Sequence, residues 1–167
     1  MKVLFLEDNE DAKKNIRIVN DDYFTINFVS TVTLFDELIF DQAGFASYDA
    51  IVMDLCINMP LMPDEQIKEM IPLLNSDDVP TYCNPERQSI PLWGLDYFRL
   101  VMNEKSETKS LVEQGRVIFF SGHAERIVKQ GLYSADDEMF AHVELLNRFK
   151  HTPKLFEKLK EIEQSLD

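Results

Sequence analysis

The sequence predicts an α/β fold: a doubly wound, five-stranded parallel sheet with helices on both faces. Three observations predict it. The first third of the chain alternates short apolar runs with helically spaced ones, in the order β-α-β-α-β. Its strands are near-continuous hydrophobic runs, as in strands buried on both faces. Two further strand-then-helix patterns follow residue 92. The length of 167 residues fits one domain over 1–167 with its own core.

Taken in order, Val3–Leu6 is a short apolar run stopped by Glu7-Asp8, a buried first strand. Ala12, Ile16 and Val19 recur at helical spacing among charged residues and predict the inner stripe of a first helix. Thr25–Val29 alternates and is rich in β-formers, a second strand. Leu34–Phe40 predicts a second helix, and Ala50–Met53 a third strand ending at Asp54. The pattern then breaks. Six of the seven prolines fall within or beside residues 61–92, which predicts an insertion between strand 3 and helix 3. Inside it, Asp64–Leu74 suits a short helix and Thr81–Pro91 a loop.

Regular structure resumes with Leu95, Phe98 and Met102 at helical spacing, and Gly115 ends that stretch. Val117–Phe120 predicts a fourth buried strand, and Ser121-Gly122-His123 a tight turn into a helix near Ala124–Leu132. The fifth strand is placed near Val143–Phe149. Thr152 as N-cap and Pro153 at the first helical position start a final helix. Its apolar stripe is Leu155, Phe156, Leu159, Ile162 and Leu166.

Composition excludes several classes. Lys plus Arg number 17 against 30 Asp plus Glu, a net charge of −13, which argues against direct binding to nucleic acid or anionic membrane. Cys56 and Cys83 form neither a disulfide framework nor a zinc pattern. The apolar start is too short for a signal peptide or a membrane span. The expected location is a reducing cytoplasm.

Ligands of open parallel sheets collect outside the carboxyl ends of the strands, so the residues there carry the functional argument. Strand 1 delivers Glu7 and Asp8, strand 3 Asp54, strand 4 Ser121, and strand 5 a cation, either Arg148 or Lys150. Three converging carboxylates repel one another and call for a cation; Mg²⁺, a hard ion with oxygen ligands, is the natural one. A carboxylate, Mg²⁺, a hydroxyl and a cationic side chain together suit phosphoryl transfer, with Asp54 as nucleophile forming an aspartyl phosphate.

Three segments resemble signature blocks of the receiver domain of two-component response regulators. They are Val3-Leu4-Phe5-Leu6-Glu7-Asp8-Asn9, Asp49-Ala50-Ile51-Val52-Met53-Asp54-Leu55 and Val117-Ile118-Phe119-Phe120-Ser121-Gly122-His123-Ala124-Glu125. Gly94-Leu95-Asp96-Tyr97-Phe98 resembles the start of that family's third helix, and Thr152–Ile162 its fifth. The resemblance covers nearly the whole chain outside 61–92. It implies a flavodoxin-like sheet of order 2-1-3-4-5. It implies that Asp54 accepts phosphate from a histidine kinase or phosphotransfer protein. Glu7, Asp8 and Asp54 would hold Mg²⁺ with the backbone carbonyl of Cys56, and Ser121 would be the switch hydroxyl. A Lys after strand 5 would pair with the phosphoryl group. Such a domain is an acceptor that loads and discharges its own phosphate rather than a turnover enzyme.

The chain departs from the family in three places. Met59-Pro60 comes two residues later than the usual Met-Pro. The Pro-rich segment interrupts the loop beside Asp54, where it is expected to act as a cover or a partner-docking element. For the cation, Lys150 is the first choice by residue identity, an ammonium on a flexible stem that can swing toward a point charge; counting back from Leu155, Phe156 and Leu159 makes Arg148 the alternative.

Blander readings stand beside these. His123 reads as a polar residue opening a helix, Cys56 as a small buried side chain, and the 12 Phe as core. The preferred reading is a stand-alone receiver, a phosphorylation switch or relay whose output passes through protein contacts. The alternative is a pseudo-receiver, a binding module that keeps the fold but does not cycle phosphate. An aspartyl phosphatase on a similar sheet ranks lower, because Cys56 stands where a general acid would be needed.

Overall fold

Five strands lie side by side and parallel, in the order β2-β1-β3-β4-β5. They are β1 (Lys2–Leu6), β2 (Thr25–Val29), β3 (Ala50–Met53), β4 (Val117–Ser121) and β5 (Glu144–Asn147). The structure is a computed structural model and describes residues 1–40, 48–57 and 93–166. The expected insertion over 61–92, with its helix over 64–74 and its loop over 81–91, lies outside the described residues, as does the late Met-Pro at 59–60. The order is the one the receiver resemblance implies. Strand positions match the sequence expectation to within a residue, except β5, which is shorter at both ends.

The strands are apolar throughout because each feeds two cores. Val3, Phe5, Val52, Ile118, Phe120 and Leu146 face one side. There they meet Ile16 of α1 (Glu10–Asn20) and Leu155, Phe156, Leu159 and Ile162 of α6 (Thr152–Gln164). Leu4, Leu6, Ile51, Met53, Val117 and Phe119 face the other. That side is covered by α2 (Val32–Phe40), α3 (Trp93–Tyr97) with its π-turn (Phe98–Met102), α4 (Ser106–Glu113) and α5 (Ala124–Lys129). Alternation along a strand sends successive side chains to opposite faces, so one run of apolar residues serves both layers. Tyr97 anchors α3 to α2 by donating its hydroxyl to Asp36 Oδ1 at 2.6 Å. Among the described residues no helix is long and apolar enough to cross a membrane.

Four details differ from expectation. Val19 is 50% exposed, and Asn20 takes the inner position of α1 instead. Its amide makes two hydrogen bonds with the Phe24 backbone, which no valine can do. The stretch before Gly115 is two helices rather than one. A π-type bond from Asn103 N–H to the Phe98 carbonyl ends the first, and Thr108 Oγ1 donates to the Met102 carbonyl at the start of the second. In α6 the cap position is His151, not Thr152; Thr152 Oγ1 donates backwards to the Arg148 carbonyl instead. Leu166 lies beyond the end of α6 and is partly exposed.

Candidate functional site

Leu6 of β1 is in register with Met53 of β3, so the next residues of the two strands, Glu7 and Asp54, emerge side by side. The ladder carries one residue further: Asp54 N–H donates to the Leu6 carbonyl at 2.8 Å, and Glu7 N–H to the Val29 carbonyl at 2.9 Å. This is the crevice between β1 and β3, where the direction of sheet winding reverses and open α/β sheets bind ligands. Carboxylate oxygens of Glu7, Asp8 and Asp54 lie within 4.8 Å of one another. Glu7 and Asp54 are buried; Asp8 is half-buried.

Glu7 and Asp54 are each held by a backbone N–H two residues on. Glu7 Oε1 accepts from Asn9 N–H at 2.9 Å, and Asp54 Oδ1 from Cys56 N–H at 3.1 Å. Asn9 also caps α1, its Oδ1 accepting from Ala12 N–H at 2.9 Å. The strand end, the acidic pair and the helix start are thus one hydrogen-bonded unit.

β4 and β5 supply the complementary groups. Ser121 closes β4, fully buried, with Oγ accepting from His123 N–H at 3.3 Å and 3.9 Å from Cys56 Sγ. It lies close enough to Asp54 for its hydroxyl to favour the charged carboxylate. Asn147 of β5 is in register with Ser121, and Arg148 follows it. Arg148 Nη1 donates to Glu7 Oε2 at 3.0 Å and stands 3.6 Å from Asp54 Oδ2.

Lys150, the choice by residue identity, is placed elsewhere. It is 62% exposed and paired with Glu125. The reason is the turn after β5. The Asn147 carbonyl accepts from both Lys150 N–H and His151 N–H, the Asn147 side chain accepts from Phe149 N–H, and His151 Nδ1 accepts from Asn147 N–H. This knot turns the chain away from the sheet edge directly after Arg148. The residue adjoining the strand end is the one that reaches the acids, and counting back from the α6 stripe had selected it.

Burial governs the electrostatics. It pushes the Glu7 carboxyl from its ordinary 4.5 up to about 7, with the Asp54 charge adding and Asn9 and Arg148 opposing. Asp54 is raised too, by burial first, against the pull of Ser121, Cys56 N–H and Arg148. The Cys56 thiol is pushed up to about 12 by burial and by Asp54, which disfavours the thiolate at neutral pH. His123 sits at the start of α5 without a side-chain cap bond.

No family model and no curated protein matches the chain. Among solved structures it is similar to the non-phosphorylated HemR receiver domain from Leptospira biflexa. The two share 16% identity over 96% of this chain and 92% of that one, with a TM-score of 0.42. The fold assignment rests on the strand order itself.

Two close approaches at the site escaped the sequence reading, both at glycines. A Cβ on Gly94 would stand 2.2 Å from the Asp54 carbonyl oxygen, so α3 begins in backbone contact with the acidic residue. A Cβ on Gly122 would meet Arg148 Nη2 at 3.0 Å. Both lie within the quoted signature segments, but a glycine's reason is a neighbour far away in sequence.

Proposed function

We propose that the chain is a receiver domain that accepts a phosphoryl group on Asp54 in a Mg²⁺-dependent reaction. The donor would be a phosphohistidine on a histidine kinase or phosphotransfer protein, and the output a changed protein contact. The observation that carries this reading is the meeting of Glu7, Asp8 and Asp54 within 4.8 Å, beside the Ser121 hydroxyl and one guanidinium.

The donor set fits a hard divalent cation. Glu7, Asp8 and Asp54 offer carboxylate oxygens within 4.8 Å of one another, and burial, with the Asp54 charge adding, pushes Glu7 up to about 7. Glu7, Asp8 and Asp54, with the Cys56 carbonyl by analogy to the family, would hold the metal. When bound, Mg²⁺ supplies positive charge against the phosphoryl oxygens.

The chain's own groups do the rest. An Asp54 oxygen forms the new O–P bond as the donor's P–N bond breaks, its electron pair leaving with the imidazole. Arg148 and the Ser121 hydroxyl take the phosphoryl oxygens, since both already lie beside Asp54. Water later attacks phosphorus; the Asp54 O–P bond breaks, its electron pair returns to the carboxylate, and inorganic phosphate leaves. A pseudo-receiver is the second reading, favoured by one feature: Arg148 already joins Glu7 and Asp54 and so neutralises part of the site unaided.

Titrating Mg²⁺ with beryllofluoride, while following backbone amide shifts of residues 54–56 and 121–123, tests the proposal. Saturable shifts that vanish in Asp54→Asn are expected. No shift in the wild type would favour the pseudo-receiver.

A further inference from the structure

Arg148 is wedged. One guanidinium edge serves Glu7 and Asp54, and its other terminal nitrogen passes over Gly122. The Phe149 ring flanks it, with the centroid 5.3 Å from Cζ. A Cβ built on Gly122 would stand 3.0 Å from Arg148 Nη2, 3.0 Å from Phe149 Cε2 and 3.4 Å from Arg148 Cζ. We propose that Gly122 is a positioning residue: its missing side chain is the space in which Arg148 reaches the acidic site. This rests on the proposed function for its consequence, not for its geometry.

The direction of the effect follows from what can give way. Gly122 does not need a left-handed backbone, so alanine is conformationally allowed there. The groups it would crowd are the ends of two flexible side chains, not main chain. Contacts of 3.0 Å demand a few tenths of an ångström of retreat. Phe149 is 77% exposed and can swing into solvent at little cost. Arg148 can retreat only by backing away from the carboxylates. Its distance to Asp54 Oδ2 is already 3.6 Å, so the same retreat brings it to the edge of ion-pair range, while the 3.0 Å bond to Glu7 lengthens. Gly122→Ala therefore leaves the fold standing and loosens the guanidinium that reaches Glu7 and Asp54. A lysine at 148 carries no second terminal nitrogen over residue 122, so the constraint belongs to arginine.

The test is a double-mutant cycle with two readouts. The first is guanidinium NMR of metal-free protein, where hydrogen-bonded Nη groups rotate slowly. The wild type should show restricted Arg148 signals, and Gly122→Ala should lose the restriction. Phe149→Ala, at an exposed position, should loosen it partly, and decides the matter if Gly122→Ala fails to fold. The second is the apparent affinity for beryllofluoride with Mg²⁺. Gly122→Ala should weaken it about fivefold or more with Arg148 present, and by less than about twofold in an Arg148→Lys background, since only contacting residues couple. Unchanged Arg148 signals in both single variants, or equal weakening in both backgrounds, would overturn the inference. If no protein binds beryllofluoride the receiver reading falls, and the NMR readout alone still decides whether Gly122 positions Arg148.

Discussion

Glu7 is the residue whose chemistry the fold alters most. Its carboxyl is fully buried and its pKa stands at about 7 instead of 4.5. Between those values the folded protein binds more protons than the unfolded chain, so this group's contribution to stability is complete below about 4.5 and is lost as pH rises through about 7. Asp54 is raised as well and acts with the same sign. Denaturant melts in EDTA are therefore expected to show lower stability at pH 8 than at pH 5.5, with Glu7→Gln flattening the difference. Added Mg²⁺ should recover stability at pH 8 and do little at pH 5.5. The same crowding predicts that Asp54→Asn stabilises the metal-free protein at pH 8 by about 1 kcal/mol, as substitutions that relieve a functional site do. A lower melting temperature in that variant would mean that the ion pair with Arg148 outweighs repulsion from Glu7.

At the scale of elements, what matters is how a strand end is held and what it touches. Gly94 brings α3 against the backbone that follows Asp54, and an added Cβ would overlap the Asp54 carbonyl at 2.2 Å and Leu55 Cα at 2.9 Å. Neither atom can yield without moving the strand end. Gly94→Ala is expected to cost about 3 kcal/mol in a denaturant melt and to shift the amides of residues 54–56. The β5–α6 turn makes the opposite prediction for its two cations. Arg148→Ala should abolish the response of α5 and β5 amides to beryllofluoride. Lys150→Ala removes only an exposed pair with Glu125 and should leave both that response and the melting temperature unchanged.

The strands and their ends were legible in the sequence because burial on both faces writes a continuous apolar run, and a carboxylate breaks it sharply. Glu7, Asp8 and Asp54 could be read for that reason, and Ser121 because a polar residue ends the run 117–120. Side-chain chemistry favoured Lys150 over Arg148; the turn knotted on Asn147 instead places Arg148 beside the acids, and only the spacing to Leu155 carried that information. Asn20 was hidden because an inward polar side chain is invisible until its backbone partners on Phe24 are known. The break between α3 and α4 was hidden because Leu95, Phe98 and Met102 keep helical spacing up to the π-turn.

Across the whole molecule, five parallel strands gather acid, hydroxyl and guanidinium at one sheet edge, although they are spread from residue 7 to residue 148. The two cores beneath are built of apolar side chains. A new charge on Asp54 would thus be felt first through Ser121 and Arg148, which belong to β4 and follow β5. The face built by α5, β5 and α6 is the expected place for the response. The most direct measurement is intact-mass spectrometry after incubation with acetyl phosphate and Mg²⁺. The account predicts a mass gain of one phosphoryl group, lost on alkaline hydrolysis, absent without Mg²⁺ and absent in Asp54→Asn. An unmodified wild-type mass, or the same gain in Asp54→Asn, would contradict it.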